Sequence, residues 1–272
     1  MASRTPSHTQ TTDEHHATTA PDASTFAPGL RLLPADVRSD VYRLYHVLRT
    51  LDDLVDEDQP QAAERVDAVE RWARGEQVDS PETRLLADLS ERRTLMPEAF
   101  LEFCQALKHD IARSAIETED DLELYCQRSA GSTGVMLAEL LGNSAPEAKA
   151  KMATLGRAVQ LTNILRDIDE DLSHNRVYIA RTTIERFGPP LPGAREELLR
   201  DQIARADDLY EQAASVLPLL SRDKRGIGLC AALYREILRQ IEREGFGQRS
   251  GRAVVPAWRR RLILARYRLR TR

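Results

Sequence analysis

Two polar series that repeat at helical spacing inside apolar segments constrain this chain most: Tyr45-x-x-x-Arg49-x-x-Asp52-Asp53-x-x-Asp56 and Gln160-x-x-Asn163-x-x-Arg166-Asp167-x-x-x-Asp171. At about 100° per residue, Tyr45, Arg49, Asp52 and Asp56 fall within roughly a sixth of a helix circumference, and Gln160, Asn163, Asp167 and Asp171 within about a quarter. Each series therefore points one way. Leu44, Val47, Leu48, Leu51 and Val55 surround the first stripe, so its helix packs on several sides. The second stripe lies midway along a long and otherwise apolar helix. Carboxylates facing a bundle interior lose hydration and repel one another, so they must take up protons or hold cations. Alone, the first cluster reads equally well as a solvated helix end, and the second competes with a structural polar network. Two opposed stripes favour a clamp for magnesium and diphosphate, because magnesium takes a few carboxylates and completes its shell with water and phosphate oxygens.

The rest of the pattern is helical. From Pro34 onward apolar residues recur at three and four, which predicts helices over 35–57, 61–75, 82–91, 97–116, 119–141, 146–174, 193–219, 223–244 and 255–269. Strand-like alternation is nearly absent, so the fold class expected is all-α. Asp58-Gln59-Pro60, Gly142 to Pro146 and Phe187 to Gly193 read as breaks. Residues 1–22 are rich in Thr, Ser, His, Ala and Pro, and are expected to form a disordered tail ahead of one helical domain over 23–272. His15-His16 within that tail is read as solvated.

Composition narrows the function classes. A chain of 272 residues, 42% hydrophobic and 30% charged, suits an enzyme-sized core. A net charge of -4 gives no reason to expect nucleic acid. Cys104, Cys126 and Cys230 form no C-x-x-C pair and sit in predicted helices, which fits a reducing cytoplasm and argues against disulfides or zinc. No run approaches the ~20 apolar residues that span a bilayer. The basic run Trp258 to Arg272 leaves two readings open, a peripheral contact with anionic lipid or a final helix covering the bundle. Gly245-Phe-Gly247-x3-Gly251 has the wrong spacing for a dinucleotide loop and is read as a turn.

The same residues carry a resemblance to the squalene and phytoene synthases, which join two prenyl diphosphates head to head. It runs from Phe26-x7-Pro34-x3-Arg38-x6-Tyr45 through the first stripe, then through Asp110, Thr118-x3-Leu122-x2-Tyr125-Cys126 and Ala130-Gly131-Ser132-Thr133-Gly134. It continues through the second stripe to Arg176-Val-Tyr178, and on to Tyr234, Arg252 and Val254-Val255-Pro256. The resemblance implies a single bundle of the isoprenoid synthase type around a deep central apolar cavity. It implies two or three magnesium ions held with the substrate diphosphate by Asp52, Asp56, Asn163, Asp167 and Asp171. Tyr45 and Arg49 join these aspartates as catalytic candidates. Arg49, Arg166, Arg176 and Arg252 are the candidates for diphosphate oxygens, with Gln160, Tyr178 and Tyr234 beside them, and Phe26, Tyr125, Gly131 and Gly134 line the prenyl chain. The glycine motif has a second reading, close helix–helix packing.

Some positions depart from the family pattern. Ala23-Ser24-Thr25-Phe26 lacks one hydroxyl, Thr133 stands where an apolar residue is frequent, Ala180 replaces a proline and Arg259-Arg260-Arg261 lies where a lysine is common. None removes a metal ligand. The implied substrate is farnesyl or geranylgeranyl diphosphate and the product is of the phytoene, presqualene diphosphate or squalene type. Terpene cyclisation of a single C15 or C20 diphosphate on the same scaffold is the alternative. A chain-elongating prenyltransferase fits less well, because the second motif lacks paired aspartates. Use of NADPH and the oligomeric state are left open by the sequence.

Overall fold

The computed structural model describes residues 24–220 and 224–270, so the expected N-terminal tail lies outside the described residues. Among the described residues every regular element is helical, as the apolar periodicity predicts. In chain order these are α1 (Ala27–Leu30), α2 (Ala35–Asp56), α3 (Ala62–Ala73), α4 (Pro81–Ser90), α5 (Pro97–Ile111), α6 (Glu119–Cys126) and α7 (Ser132–Leu140). They continue as α8 (Pro146–Ser173), α9 (Arg181–Phe187), α10 (Glu196–Ala213), α11 (Lys224–Arg243) and α12 (Ala257–Arg270).

Prolines at the first turn start α4, α5 and α8, where their missing N–H costs no intrahelical bond. The 28-residue α8 extends about 42 Å at 1.5 Å per residue and is the central strut. It packs against α10, α7 and α11, while α2 packs against α3, α4, α5 and α7. Two apolar cores result, one around α8 and one around α2, and Phe26, Leu137 and Leu141 touch both.

Several boundaries differ from the expectation. The helix expected over 97–116 ends at Ile111, because Arg113 enters the left-handed region at φ 47° and its guanidinium bridges Asp58 and the His174 carbonyl. The helix expected over 119–141 is interrupted by a π turn, Gln127–Gly131, directly after Tyr125 and Cys126. The segment expected as helix over 193–219 starts at Glu196 and tightens into a 3₁₀ turn, Ala214–Leu219, around Pro218. α1 and α9 were not anticipated; at four and seven residues they are too short for periodicity to reveal.

The glycines of the Ala130–Gly134 motif pack helices together. A Cβ on Gly134 would lie 2.2 Å from the Met152 carbonyl oxygen, and one on Gly156 would lie 1.9 Å from that of Ala130. Backbone meets backbone there, which draws α7 and the π turn onto α8.

Candidate active site

The C-terminal halves of α2 and α8 carry the two acidic stripes to one rim of the bundle. Arg176, just beyond α8, joins them: it pairs with the Asp56 carboxylate and donates to the Val55 carbonyl at 2.8 Å. Arg113 adds a second tie, donating to Asp58 at 2.7 Å and to the His174 carbonyl at 2.9 Å. The stripes thus face one another. They sit at a mouth and are not wholly interior, with 44% of the Asp52 side chain and 18% of the Asp167 side chain open to water.

Arginines are interleaved with the acids. Arg49 pairs with Asp52 at 3.2 Å and with Asp53. Asp167 receives Arg166, at 2.8 Å from its Nε, and Arg252, at 2.9 Å from its Nε. Among the described residues Asp171 is the one carboxylate of Asp52, Asp56, Asp167 and Asp171 with no ion pair. Burial, reinforced by the neighbouring charges of Asp167 and Asp56, pushes its carboxyl up to about 7. Burial and the charge of Asp56 likewise push Asp52 up to about 7 against the opposing pull of Arg49. Asp56 is raised by burial, and Arg176 opposes that rise. These groups are short of positive charge.

A tyrosine–aspartate cluster backs the mouth. Asp110, near the end of α5, accepts hydrogen bonds from the hydroxyls of Tyr125 and Tyr178, each at 3.0 Å. The two rings stack at 5.1 Å. Burial and the Asp110 charge hold both phenols far above their ordinary value, so both stay protonated donors. Across the site Phe26 stacks on Tyr234 at 4.4 Å, and burial raises the Tyr234 phenol while the nearby Arg166 opposes that rise. Of the residues expected to line a prenyl chain, Gly131 closes the π turn over its own Gln127, and Gly134 faces the α8 backbone. Gln160 and Asn163 lie half-buried above Asp167 on α8. The sequence named Asp110 without giving it a role; its partners come from two other segments of the chain.

The donor set fits magnesium with diphosphate. The Asn163 side-chain oxygen is buried without a hydrogen-bond partner, and burial raises the carboxyls of Asp52 and Asp171, a cost that a bound cation would offset. No three acidic, histidine or cysteine side chains among the described residues converge into a closed metal cage. Magnesium keeps several waters and is held by one or two carboxylates together with substrate phosphate oxygens, so it does not need such a cage.

The profile describing squalene/phytoene synthases matches residues 20–259. The chain belongs to the squalene/phytoene synthase family. Its relatives in that family include a phytoene synthase of Thermus thermophilus, 34% identical over 254 residues that cover 89% of this chain and 87% of that one. A presqualene diphosphate synthase of Zymomonas mobilis is 29% identical, covering 87% of this chain and 86% of that one. Among solved structures, a dehydrosqualene synthase bound to a ligand superposes with a TM-score of 0.85 at 26% identity, covering 96% of this chain and 97% of that one. A squalene synthase from Alicyclobacillus acidocaldarius shares the fold, with a TM-score of 0.75 at 24% identity over 86% of this chain and 93% of that one. This squalene/phytoene synthase family member is accordingly a prenyltransferase, built on the all-α isoprenoid synthase fold.

Proposed function

We propose that the rim between α2 and α8 is where this enzyme binds and ionises prenyl diphosphates before joining two of them head to head. The observation that carries the residue assignment is the pair of opposed carboxylate stripes, raised toward neutrality and threaded with arginines. Acids alone would suit a cation and arginines alone an anion. Both together suit a metal diphosphate.

Asp52, Asp56, Asn163, Asp167 and Asp171 are the residues to hold two or three magnesium ions. When bound, the ions neutralise charge on the departing diphosphate and so lower the barrier to carbon–oxygen cleavage. Arg49, Arg166, Arg176 and Arg252 exchange their carboxylate partners for diphosphate oxygens, which suits the planar, permanently charged guanidinium. Their grip tightens as negative charge develops on the leaving group, and it is that difference which accelerates the step. Tyr45, Tyr178, Tyr234 and Gln160 complete the polar wall.

The prenyl half demands the reverse environment. An allylic cation needs aromatic faces and no free nucleophile. Phe26 stacked on Tyr234, and Tyr125 stacked on Tyr178, provide those faces, and the hydroxyls of Tyr125 and Tyr178 are tied to Asp110. Substrate length, C15 or C20, and use of NADPH are decided by one assay: mass-spectrometric product analysis after incubation with farnesyl or geranylgeranyl diphosphate, with and without NADPH. A coupled C30 or C40 product is expected. A cyclic C15 or C20 hydrocarbon would overturn head-to-head coupling in favour of cyclisation.

No helix among the described residues is long and apolar enough to cross a membrane. The basic α12 lies against α11 yet leaves Trp258 and Leu262 exposed beside its arginines, and Val254 just before it is 63% exposed. This combination supports peripheral contact with anionic lipid. Flotation on phosphatidylserine vesicles should weaken in a variant ending at Pro256; equal partitioning argues against the contact.

A further inference from the structure

One buried guanidinium outside the two stripes stitches together three segments that converge behind Asp167. Arg195, 4% exposed, sits at the start of α10. It grips Asp169 through both terminal nitrogens, at 2.6 and 2.8 Å. It also donates to the carbonyls of Pro190, at 3.2 Å, and Arg249, at 3.3 Å. Asp169 in turn accepts the backbone N–H of Gly251 at 2.6 Å, and the next residue is Arg252. Two residues apart on a helix lie about 200° apart, so Asp169 faces this junction while Asp167 faces the mouth. A Cβ on Gly247 would fall 2.1 Å from the Arg195 Nε, and Gly247 sits at φ 73°, so the loop closes over the guanidinium only because that residue is glycine.

The loop carrying Arg252 has little else beneath it. A cleft of about 640 Å³ lies between this loop and the flank of α8, with Leu165, Ile168, Leu199 and Ile241 on its far wall. Residues 248–252 are exposed, and apolar packing resumes only at Ala253 and Val255, just past Arg252. The least exposed of the loop's anchors are Asp169 and Arg195; the others are the Gly193 N–H to Gly247 carbonyl bond at 3.1 Å, a stack of Arg200 on Phe246 upstream, an exposed Gln248 to Glu196 hydrogen bond at 3.5 Å and the half-exposed pairs of Arg252 with Asp167 and Glu170. Buried charge-assisted hydrogen bonds of this kind fix position better than exposed pairs do.

We propose that Asp169 and Arg195 form a latch that positions Arg252 over the second acidic stripe, and so sets how tightly the site holds diphosphate. Asp169 and Arg195 are positioning residues; neither touches substrate. The inference rests on the reading of Arg252 as a diphosphate ligand, and the two can fail separately.

The test is a double-mutant cycle on the full-length protein, with magnesium diphosphate as the calorimetric probe and KM for geranylgeranyl diphosphate as the kinetic one. Asp169→Asn turns one acceptor into a donor facing the Arg195 donors, and should weaken binding and raise KM by about tenfold. Asp169→Glu should recover part of this. In an Arg252→Ala background Asp169→Asn should have almost no further effect, because contacts that act through one shared residue are not additive. Arg195→Lys, which keeps the charge and loses the two-pronged grip, should reproduce the loss and serves if Asp169→Asn does not fold. Full additivity in the Arg252→Ala background, or unchanged binding in both Asp169→Asn and Arg195→Lys, overturns the latch alone. Unchanged binding in Arg252→Ala itself overturns the diphosphate role of Arg252, and the latch with it.

Discussion

Replacing Asp52 with asparagine should make the metal-free protein more stable while disabling it. Burial and the charge of Asp56 lift the Asp52 carboxyl from its ordinary 3.8 to about 7. A shift of that size corresponds to about 4 kcal/mol at 1.36 kcal/mol per pKa unit. Because 44% of the side chain is open to water, screening reduces the penalty to about 1–2 kcal/mol. The sign follows from proton binding: between pH 4 and 7 the folded protein holds a proton on Asp52 that the unfolded chain has released, so stability falls as pH rises across that window. Asparagine removes the titration and keeps the shape, and Arg49 retains Asp53 as its partner. Thermal unfolding in EDTA should show wild type and Asp52→Asn nearly matched at pH 4, with the variant melting roughly 2–4 °C higher at pH 8. Saturating magnesium and a non-ionisable diphosphate analogue should reverse the order, since only the wild type gains full binding free energy. A variant that melts at or below wild type at pH 8, without the pH-dependent gap, would refute the reasoning.

Other consequences can be checked alongside. Asp167→Asn should lower magnesium-dependent diphosphate release at least a hundredfold with unchanged far-ultraviolet circular dichroism, because it removes a proposed metal ligand that also anchors Arg166 and Arg252. Apparent magnesium affinity should rise with pH up to about 7 and level off above it, as protons leave Asp52 and Asp171, which titration calorimetry in buffers of different ionisation enthalpy would reveal. Gly156→Ala should cost roughly 3 kcal/mol in urea denaturation, since the new methyl meets the Ala130 backbone, which cannot swing aside as a side chain would. A loss below 1 kcal/mol would show that the π turn and α8 separate easily.

What the sequence made legible was whatever a single helix encodes by itself. Both stripes repeat at helical spacing, and the cost of burying charge implies a ligand, so α2 and α8 could be read with their functional faces. Arg113 is the counter-example. Ile111-Ala112-Arg113-Ser114-Ala115-Ile116 has the composition of a continuing helix, yet Arg113 leaves it to bridge Asp58 and His174, contacts 55 and 61 residues distant. Tertiary bonds outweighed a local propensity of a few tenths of a kcal/mol per residue. The role of Asp110 was hidden for the same reason: its tyrosine partners arrive from 15 and 68 residues away. Asp169 was overlooked because it lies off the stripe, on the flank of α8 that only the chain's return near Gly251 makes meaningful.

The pairing pattern also explains how such a rim survives without its ligands. Five carboxylates at one mouth, Asp52, Asp53, Asp56, Asp167 and Asp171, would repel one another strongly if they stood alone. Arg49, Arg166, Arg176 and Arg252 occupy four of the five, and the carboxylate left without an ion pair, Asp171, is one of those pushed toward neutrality. In the proposed binding mode Asp52, Asp56 and Asp167 would hold metal ions, while Arg49, Arg166, Arg176 and Arg252 would turn to the diphosphate oxygens. Loss of Arg49 or Arg176 should therefore act twice, weakening diphosphate binding and raising Asp52 or Asp56, whose carboxyls these arginines hold down. The second effect is open to direct observation: in Arg176→Met, carbon-detected NMR titration of Asp56 should move further upward than in the wild type, because the stronger of the two cations that hold it down is gone and only the more distant pull of Arg49 remains. An unmoved Asp56 would mean that burial alone governs this rim and that the arginines merely accompany it.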